Sequence, residues 1–484
     1  MGLAGIFVGL GLLIWLSYRG WSVLVLAPLA ALIAALFAGE PLLAHWTQTF
    51  MGSAAGFLAS FFPLFLLGAV FGKLMDDSGS VQTIARFMTE KLGPQRAMLA
   101  VVLAGALVTY GGVSLFVAFF VLAPMAQALF RAANIPARLM PAAIALGTST
   151  FTMSALPGTP AIQNAIPMPF FGTTAFAAPG LGVIASAIML GFGMWWLRRA
   201  EAKARAGGEG FGLLNADAHV DAAEDPLVRE RATTAGSFDP SEIQEGQHGS
   251  GQPGIVAALA PLVVVVVVNL LMALVVLPRM DTDYLAEARF GGISLANVGG
   301  VWAVLVALAA AMLVLVALNW KRLPSLRATV DAGANASVLP VVCVASLVGF
   351  GAVVAAMPAF ELVREWVLGI GGGPLVSLAL STNILAALTG SASGGLTIAL
   401  DALGGTFMQL AATTGLDPAL MHRVAVIGAG TLDSLPHNGA VVTLLAVCGT
   451  KHGESYFDIV MVGIVGALIA LVAVIVLGST VGSF

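Results

Sequence analysis

Gly428-Ala429-Gly430-Thr431-Leu432-Asp433-Ser434-Leu435-Pro436-His437-Asn438-Gly439 lies inside an apolar stretch, yet it cannot run as one continuous helix at comfortable cost. A proline within a helix removes a donor and clashes with the preceding turn, so Pro436 ends whatever helix leads up to it. An earlier stretch repeats the design: Gly147-Thr148-Ser149-Thr150-Phe151-Thr152-Met153-Ser154-Ala155-Leu156-Pro157-Gly158-Thr159-Pro160 is apolar on both sides and broken in the middle. Backbone groups freed by such breaks find no partner in hydrocarbon, so they must be buried in protein or face a wet cavity. Residues 139–168 and 420–448 are therefore read as interrupted membrane crossings around a polar site.

The remaining sequence supplies a lipid-facing frame. Of the 484 residues, 59% are hydrophobic and 10% charged, and mean hydropathy is +0.97. A water-soluble domain is excluded, because such a composition would expose large apolar patches. Apolar runs long enough to cross roughly 30 Å of hydrocarbon as helices lie near 3–17, 22–39, 54–75, 175–197, 254–278, 299–319, 336–357 and 457–480. Residues 96–132 and 361–413 are apolar but cut by glycine, proline, serine and threonine, and are read as re-entrant hairpins that leave the membrane on the side they entered.

Positive residues set the sides: Arg19; Lys73, Arg86, Lys91 and Arg96; Arg198, Arg199, Lys203 and Arg205; and Lys321, Arg322 and Arg327 are all expected in the cytoplasm. The first hairpin then enters from the cytoplasm, the second from outside, and both termini lie outside. The segment Leu3 to Leu16 lacks the basic flank and cleavage site of a signal peptide and is read as a retained span. Residues 198–253, rich in Gly, Ala, Asp and Glu, read as a disordered polar cytoplasmic linker without chemistry. Cys343 and Cys448 fall inside apolar runs and read as small buried hydrophobes. A net charge of −4 offers no field for nucleic acid, which is excluded as a partner. No Walker motif is present, so ATP does not drive this chain directly.

Landmarks recur in unbroken order at an offset of about 280 residues. Gly93-Pro94 returns as Gly373-Pro374, Thr109 with Gly111-Gly112 as Thr389 with Gly394-Gly395, and Pro136-Ala137 with Leu139-Met140 as Pro418-Ala419 with Leu420-Met421. Gly147 and Thr150 return as Gly428 and Thr431, and Leu156-Pro157 as Leu435-Pro436. The two halves, 1–197 and 254–484, each hold five crossings, an odd number, so the second copy sits upside down relative to the first. The expected fold is an all-α integral membrane protein of two inverted-topology repeats, each with a re-entrant hairpin and an interrupted helix. Two such copies that exchange arrangements open a central site to alternate sides of the membrane.

The hairpin tips are Thr109-Tyr110-Gly111-Gly112-Val113-Ser114 and Thr389-Gly390-Ser391-Ala392-Ser393-Gly394-Gly395. Gly111, Gly112, Gly394 and Gly395 let backbone approach a ligand, and Ser114, Ser391 and Ser393 offer hydroxyls. A helix that starts after such a tip aims free N–H groups at the cavity, which suits a carboxylate. The competing reading is that small residues merely let helices pack closely in lipid. In the interrupted crossings Thr150, Thr152, Ser154, Thr431, Ser434 and Asn438 can bond either the substrate or the freed backbone.

Asp433 is the sharpest single feature, since an acid near mid-crossing costs on the order of 3 kcal/mol on insertion scales. His437, four positions on, has an unperturbed pKa of about 6.5, which suits proton exchange. Both are assigned to proton coupling; the bland alternative is that Asp433 caps the broken helix and His437 satisfies a carbonyl. Sodium held by unwound carbonyls and hydroxyls is the alternative ion. Asp401 is expected to face protein or water, and Arg423, near the outer end of its crossing, either snorkels or balances an anion. Gln163 and Asn164 reach the cavity or cap the interface. His45, His219, His248, His422 and His452 lie in loops or at ends without metal-ligand spacing. No cofactor beyond the coupling ion is expected.

Thr431-Leu432-Asp433-Ser434-Leu435-Pro436-His437-Asn438-Gly439-Ala440-Val441-Val442-Thr443-Leu444-Leu445, continuing to Thr450-Lys451-His452 and Glu454-Ser455-Tyr456, resembles the bacterial gluconate permease (GntP) family of the ion transporter superfamily. It is most similar to the hydroxybutyrate permease branch. The resemblance implies proton symport of a hydroxy-monocarboxylate at the bacterial inner membrane, by an elevator-type fold of scaffold and moving transport domain that forms a homodimer. It also implies substrate contact at Gly112, Ser114, Ser393, Gly394, Thr150, Asp433, His437 and Asn438. The chain departs from true gluconate permeases in lacking a Ser-His-Val-Asn-type C-terminal stretch. A short acid such as 3-hydroxybutyrate is therefore expected ahead of gluconate, other sugar acids or a citrate-like carboxylate. A channel would require a continuous polar path, and an enzyme a nucleophile or metal set, of which Asp433 with His437 is the only hint.

Overall fold

The protein is described here by a computed structural model that places residues 2–212, 222, 225–236, 238–246, 249 and 251–484. His219 and His248 lie outside the described residues. Among those described, every regular element is helical, and eight helices are long and apolar enough to cross a membrane. They include Leu42–Asp77, Pro179–Ala206, Ile255–Arg279, Leu295–Arg322, Leu326–Ala356 and His452–Val481, which coincide with expected crossings. The expected crossings near 3–17 and 22–39 are helices Gly2–Tyr18 and Val23–Ala38, of 17 and 16 residues. At about 1.5 Å per residue these fall short of a roughly 30 Å core. Leu326–Ala356 runs along Met51–Asp77, and a Cβ on Gly333 would sit 2.7 Å from Val70 Cα, so the two backbones touch.

Each region read as a hairpin contains a pair of packed helices with a short turn, although 361–413 also takes in a separate helix, Phe360–Leu368, so its hairpin starts later than expected. The first pairs Ala97–Tyr110 with Leu115–Ala132, and the second pairs Pro374–Thr389 with Ala392–Thr414. Both are launched from a Gly-Pro step with matching glycine backbone, φ 65° and ψ −179° at Gly93, φ 87° and ψ −179° at Gly373. That conformation favours glycine, and the proline that follows starts a helix turn without wasting a donor. At the first of these steps the chain bends by 102° between Ser80–Leu92 and Pro94–Tyr110. Thr109 and Thr389 each turn their hydroxyl back onto a carbonyl four residues earlier, Gly105 O and Leu385 O, both at 2.8 Å.

The interrupted crossings are broken where the prolines and glycines dictate. Met140–Thr148 gives way to the one-turn helix Phe151–Ser154, then to irregular chain, then to Ile162–Ala165. Pro418–Thr431 passes through a tight turn, Leu432–Ser434, before Gly439–Val447 begins. Each leading helix seats its glycine on the first arm of the nearby hairpin: a Cβ on Gly147 would lie 3.0 Å from Val102 Cα, and one on Gly428 2.5 Å from Thr382 Oγ1. The Gly-Pro steps, the tip threonines and the glycines of the leading helices thus recur with similar local geometry, whereas Gly111-Gly112 form a turn and Gly394-Gly395 lie inside a helix.

One expectation is overturned. The described residues of 198–253 do not form a disordered tether: Pro179–Ala206 carries the helix into the segment, and Pro226–Ala235 is a further helix capped by Asp225, whose side chain accepts from Leu227 N. Its residues dock on both halves. Glu230 Oε1 accepts from Val23 N at 3.2 Å, Asp239 N donates to Ala336 O at 2.8 Å, and Gly249 N donates to Asp77 O at 2.8 Å. Apolar side chains seal the contact as well: Val228, Ala232, Ala235, Phe238 and Ile243 are buried, but they are scattered through a polar composition that hid them. Lys73 likewise is not a loop cation. It is fully buried, pairs with Asp77 at 3.0 Å and donates to Ile243 O of the linker at 2.6 Å.

Because Gly147 and Gly428 admit no side chain, Gly147→Ala and Gly428→Ala should each lower stability by about 1–3 kcal/mol. Gly56→Ala, on an exposed face with nothing within 4 Å, should leave it unchanged or slightly raised. Thermal unfolding of the purified variants in detergent, followed by tryptophan fluorescence, checks the contrast.

Candidate functional site

Each hairpin tip meets the break of its own half. At the first, Tyr110 Oη donates to Pro157 O at 2.9 Å, and Gly112, with φ 101°, turns so close to Pro160 that a Cβ would lie 2.9 Å from its ring. Gly112, Val113 and Ser114 face Met153, Pro160 and Gln163 across a cavity of about 520 Å³. Ser114 caps the return arm, its oxygen accepting from Phe116 N at 3.3 Å.

At the second tip a carboxylate does the joining. Asp433 Oδ1 accepts from Ala392 N at 2.8 Å, the first residue of the return arm, and from Asn438 Nδ2 at 2.5 Å. Asn438 Nδ2 also donates to Gly390 O at 2.9 Å, and its Oδ1 accepts from Ala440 N at 2.7 Å, capping Gly439–Val447. His437 Nε2 is 2.9 Å from Ala387 O on the first arm. Thr389, Gly390, His437 and Gly439 line a second cavity, of about 410 Å³, whose remaining polar wall is Ser17 together with Glu230, Arg231 and Thr234 of the linker helix. Arg231 donates to His437 O at 3.0 Å.

Several expected contacts are redirected by this geometry. Gly111, Gly394 and Gly395 sit in close packing, since added side chains would strike Leu262, Leu347 and the backbone of Ala386. Thr150, Thr152, Ser154 and Thr431 spend their hydroxyl protons on carbonyls of the preceding turn, at 2.8, 3.1, 3.0 and 2.7 Å. They repair freed backbone, which leaves only lone pairs for any ligand. Asn438 is saturated, both amide protons and the oxygen being used within the protein. Ser391 caps its helix by accepting from Gly394 N, and its hydroxyl lies 3.2 Å from that of Ser393. Ser434 is buried against Gly463, and its carbonyl accepts from Tyr456 Oη at 3.2 Å. Asp401 is exposed on the return arm and lines neither cavity.

Arg423 and His422 were placed near a crossing's end by sequence; both are fully buried. Arg423 Nη2 and Nε donate to Ala177 O at 2.7 and 3.2 Å, and Nη1 to Ser154 O at 3.3 Å, tying the second half to the first half's break. His422 bridges Thr173 Oγ1 at 2.6 Å and Asn164 Oδ1 at 3.1 Å. Asn164 Nδ2 in turn holds Thr159 O and Ala175 O at 3.0 and 3.1 Å. The two breaks adjoin here, a Cβ on Gly430 falling 3.1 Å from Ser154 Cβ. The linker residues Glu230 and Arg231 were missed by sequence reasoning. A charged pair in a polar segment carries no positional signal unless the segment is known to dock.

Residues 1–174 match the family described as GntP family permease. The chain is 38% identical over 483 residues to "Uncharacterized transporter YxjC" of Bacillus subtilis strain 168, covering 98% of each protein. It is 33% identical over 164 residues to the "High-affinity gluconate transporter" of Escherichia coli K12, covering 33% of this chain and 35% of that one. Among solved structures the Alcanivorax borkumensis YdaH transporter aligns at TM-score 0.47 and 16% identity, over 91% of this chain and 90% of that one.

Arg423→Lys separates bracing from snorkelling. A lysine cannot reach Ala177 O and Ser154 O together, so the variant should lose about 2–4 kcal/mol through orphaned carbonyls. A snorkelling cation would tolerate it. Thermal unfolding in detergent reads the difference.

Proposed function

The chain belongs to the GntP permease family of multi-pass membrane transporters, and from that premise we propose that it is a secondary transporter that takes up a short hydroxy-carboxylate together with a proton. The first candidate substrate is 3-hydroxybutyrate; gluconate or another sugar acid comes second. The site of action is the bacterial inner membrane, and the working unit is a homodimer whose transport domains move against a scaffold. The observation that carries the reading is the grip of Asp433 Oδ1 on Ala392 N at the second hairpin tip, 2.8 Å.

An ionised carboxylate makes a charge-assisted bond to a backbone N–H, roughly twice as strong as a neutral one. Charged Asp433 therefore pins the return arm at its first residue, and the neutral acid releases it. A proton arriving at Asp433 frees the tip that must move for substrate to enter or leave. His437, whose ring nitrogen reaches the first arm at Ala387 O, stands on the other side of the same tip as a second proton-accepting group. The matched geometry of Gly93-Pro94 with Gly373-Pro374, and of Thr109 with Thr389, supports two equivalent hairpins in inverted halves. On this reading both hairpins are re-entrant, and exchange of their arrangements gives alternating access.

Substrate carboxylate is received by the tips: Gly112 leaves backbone open, Ser114 keeps a hydroxyl proton to donate, and Gly390 lines the second cavity. Asp433 and Asn438 act on the tip rather than on the substrate.

Uptake of radiolabelled 3-hydroxybutyrate, gluconate and citrate into proteoliposomes, with and without an inward proton gradient and with and without sodium, tests the reading. Acid-driven, sodium-independent accumulation of 3-hydroxybutyrate is expected. Asp433→Asn should insert normally and retain counterflow exchange but lose acid-driven accumulation at least tenfold. Sodium-driven uptake, or normal pH-dependent accumulation by the variant, would sink the coupling assignment.

A further inference from the structure

Gln163 stands apart from the other polar side chains that line the two tip cavities. It is 7% exposed, in the short helix Ile162–Ala165, and its Oε1 is buried without a hydrogen-bond partner. The contrast with its neighbour is direct. Asn164 uses its amide nitrogen on Thr159 O and Ala175 O and its oxygen on His422, so the next residue along is fully engaged in holding the break together. Gln163 instead lines the cavity of about 520 Å³ at the first tip, facing Gly112, Ser114 and Thr109.

The other polar groups in that wall are already committed in part. Thr109 donates its hydroxyl to Gly105 O, and Ser114 oxygen accepts from Phe116 N. Leu64, Phe65, Val113 and Leu308 make the remaining wall apolar. A buried amide oxygen left without a donor is costly, and native proteins keep such a group where something else completes it. Its lone pairs repel a carboxylate and invite an O–H. The donors for a carboxylate lie opposite, in the Ser114 hydroxyl and the start of Leu115–Ala132, an 18-residue helix whose N-terminus favours negative charge.

Resting on the symporter reading above, we propose that Gln163 is the substrate-contacting residue that recognises the hydroxyl of a hydroxy-carboxylate, its Oε1 accepting the substrate O–H while Ser114 holds the carboxylate end. The residue thereby sets the preference for hydroxylated over plain short acids. A site built to bond a substrate hydroxyl discriminates against the analogue lacking it, because the site's own buried group is then left unpaired.

The test uses the full chain in proteoliposomes, with uptake of radiolabelled 3-hydroxybutyrate competed by unlabelled 3-hydroxybutyrate and by butyrate. The wild type should favour the hydroxy acid by roughly tenfold or more. Gln163→Met, similar in length and without the amide, should weaken competition by 3-hydroxybutyrate about tenfold while leaving butyrate unchanged or stronger. Should that variant fail to insert, Gln163→Asn, which draws the amide back by one methylene, should show the same one-sided loss. Equal weakening of both competitors, or no change in either, overturns the assignment and leaves the symporter reading intact. Absence of hydroxy-acid uptake by the wild type overturns both together.

Discussion

The peptide groups released at residues 149–161 and 432–438 have no water to turn to, and the whole centre of the protein is arranged to satisfy them. Threonine hydroxyls fold back onto the last turns of the leading helices, at Leu146 O and Ile427 O. Where chain leaves the helix altogether, an asparagine takes over. Asn164 collects Thr159 O and Ala175 O in the first half, and Asn438 collects Gly390 O and the carboxylate of Asp433 in the second. In lipid this internal satisfaction is the condition for irregular backbone to exist at all.

That constraint also explains how the halves are joined. Arg423 reaches from the second half's leading helix to Ser154 O of the first half's break and to Ala177 O ahead of Pro179–Ala206, and His422 beside it reaches Asn164 and Thr173. Carbonyls that a broken helix exposes are natural acceptors for a guanidinium, which offers donors in a planar fork. The hairpin tips are not merged into one cavity; each lies against its own break. Gln163 belongs to the first cavity and His437 to the second, so the tips can be read as two half-sites brought into relation by the breaks between them.

Much of this was legible beforehand, and the reasons for the rest are physical. The second hairpin, expected from 361, starts only at Pro374, whereas hydrophobic run length gave the long crossings, because that signal is local. The breaks were visible for the same reason: Pro157, Pro160 and Pro436 act within a turn of themselves. What sequence could not assign was the partner of each polar group. Gly395 looks like a ligand-facing glycine until the first arm is seen against it, and Arg423 looks like a snorkelling cation until Ala177 O is seen beside it. Asn438 was read as a substrate contact, whereas its amide is consumed by three neighbours from three different elements. The linker was misjudged because its buried apolar residues, such as Ala232 and Phe238, are outnumbered by polar ones and form no run that would signal packing.

The linker's contacts set an order of assembly. Its residues grip Val23, Lys73 and Asp77, which are synthesised before it, and Ala336 and His437, which emerge after it; the Glu230–Val23 and Arg231–His437 bonds span 207 and 206 positions. Chains fold as units from the N-terminal side during synthesis, so the first half can insert alone but cannot lock. Its keystone stays loose until nearly the last helix leaves the ribosome, which makes the completed C-terminal half the agent that finishes the N-terminal one.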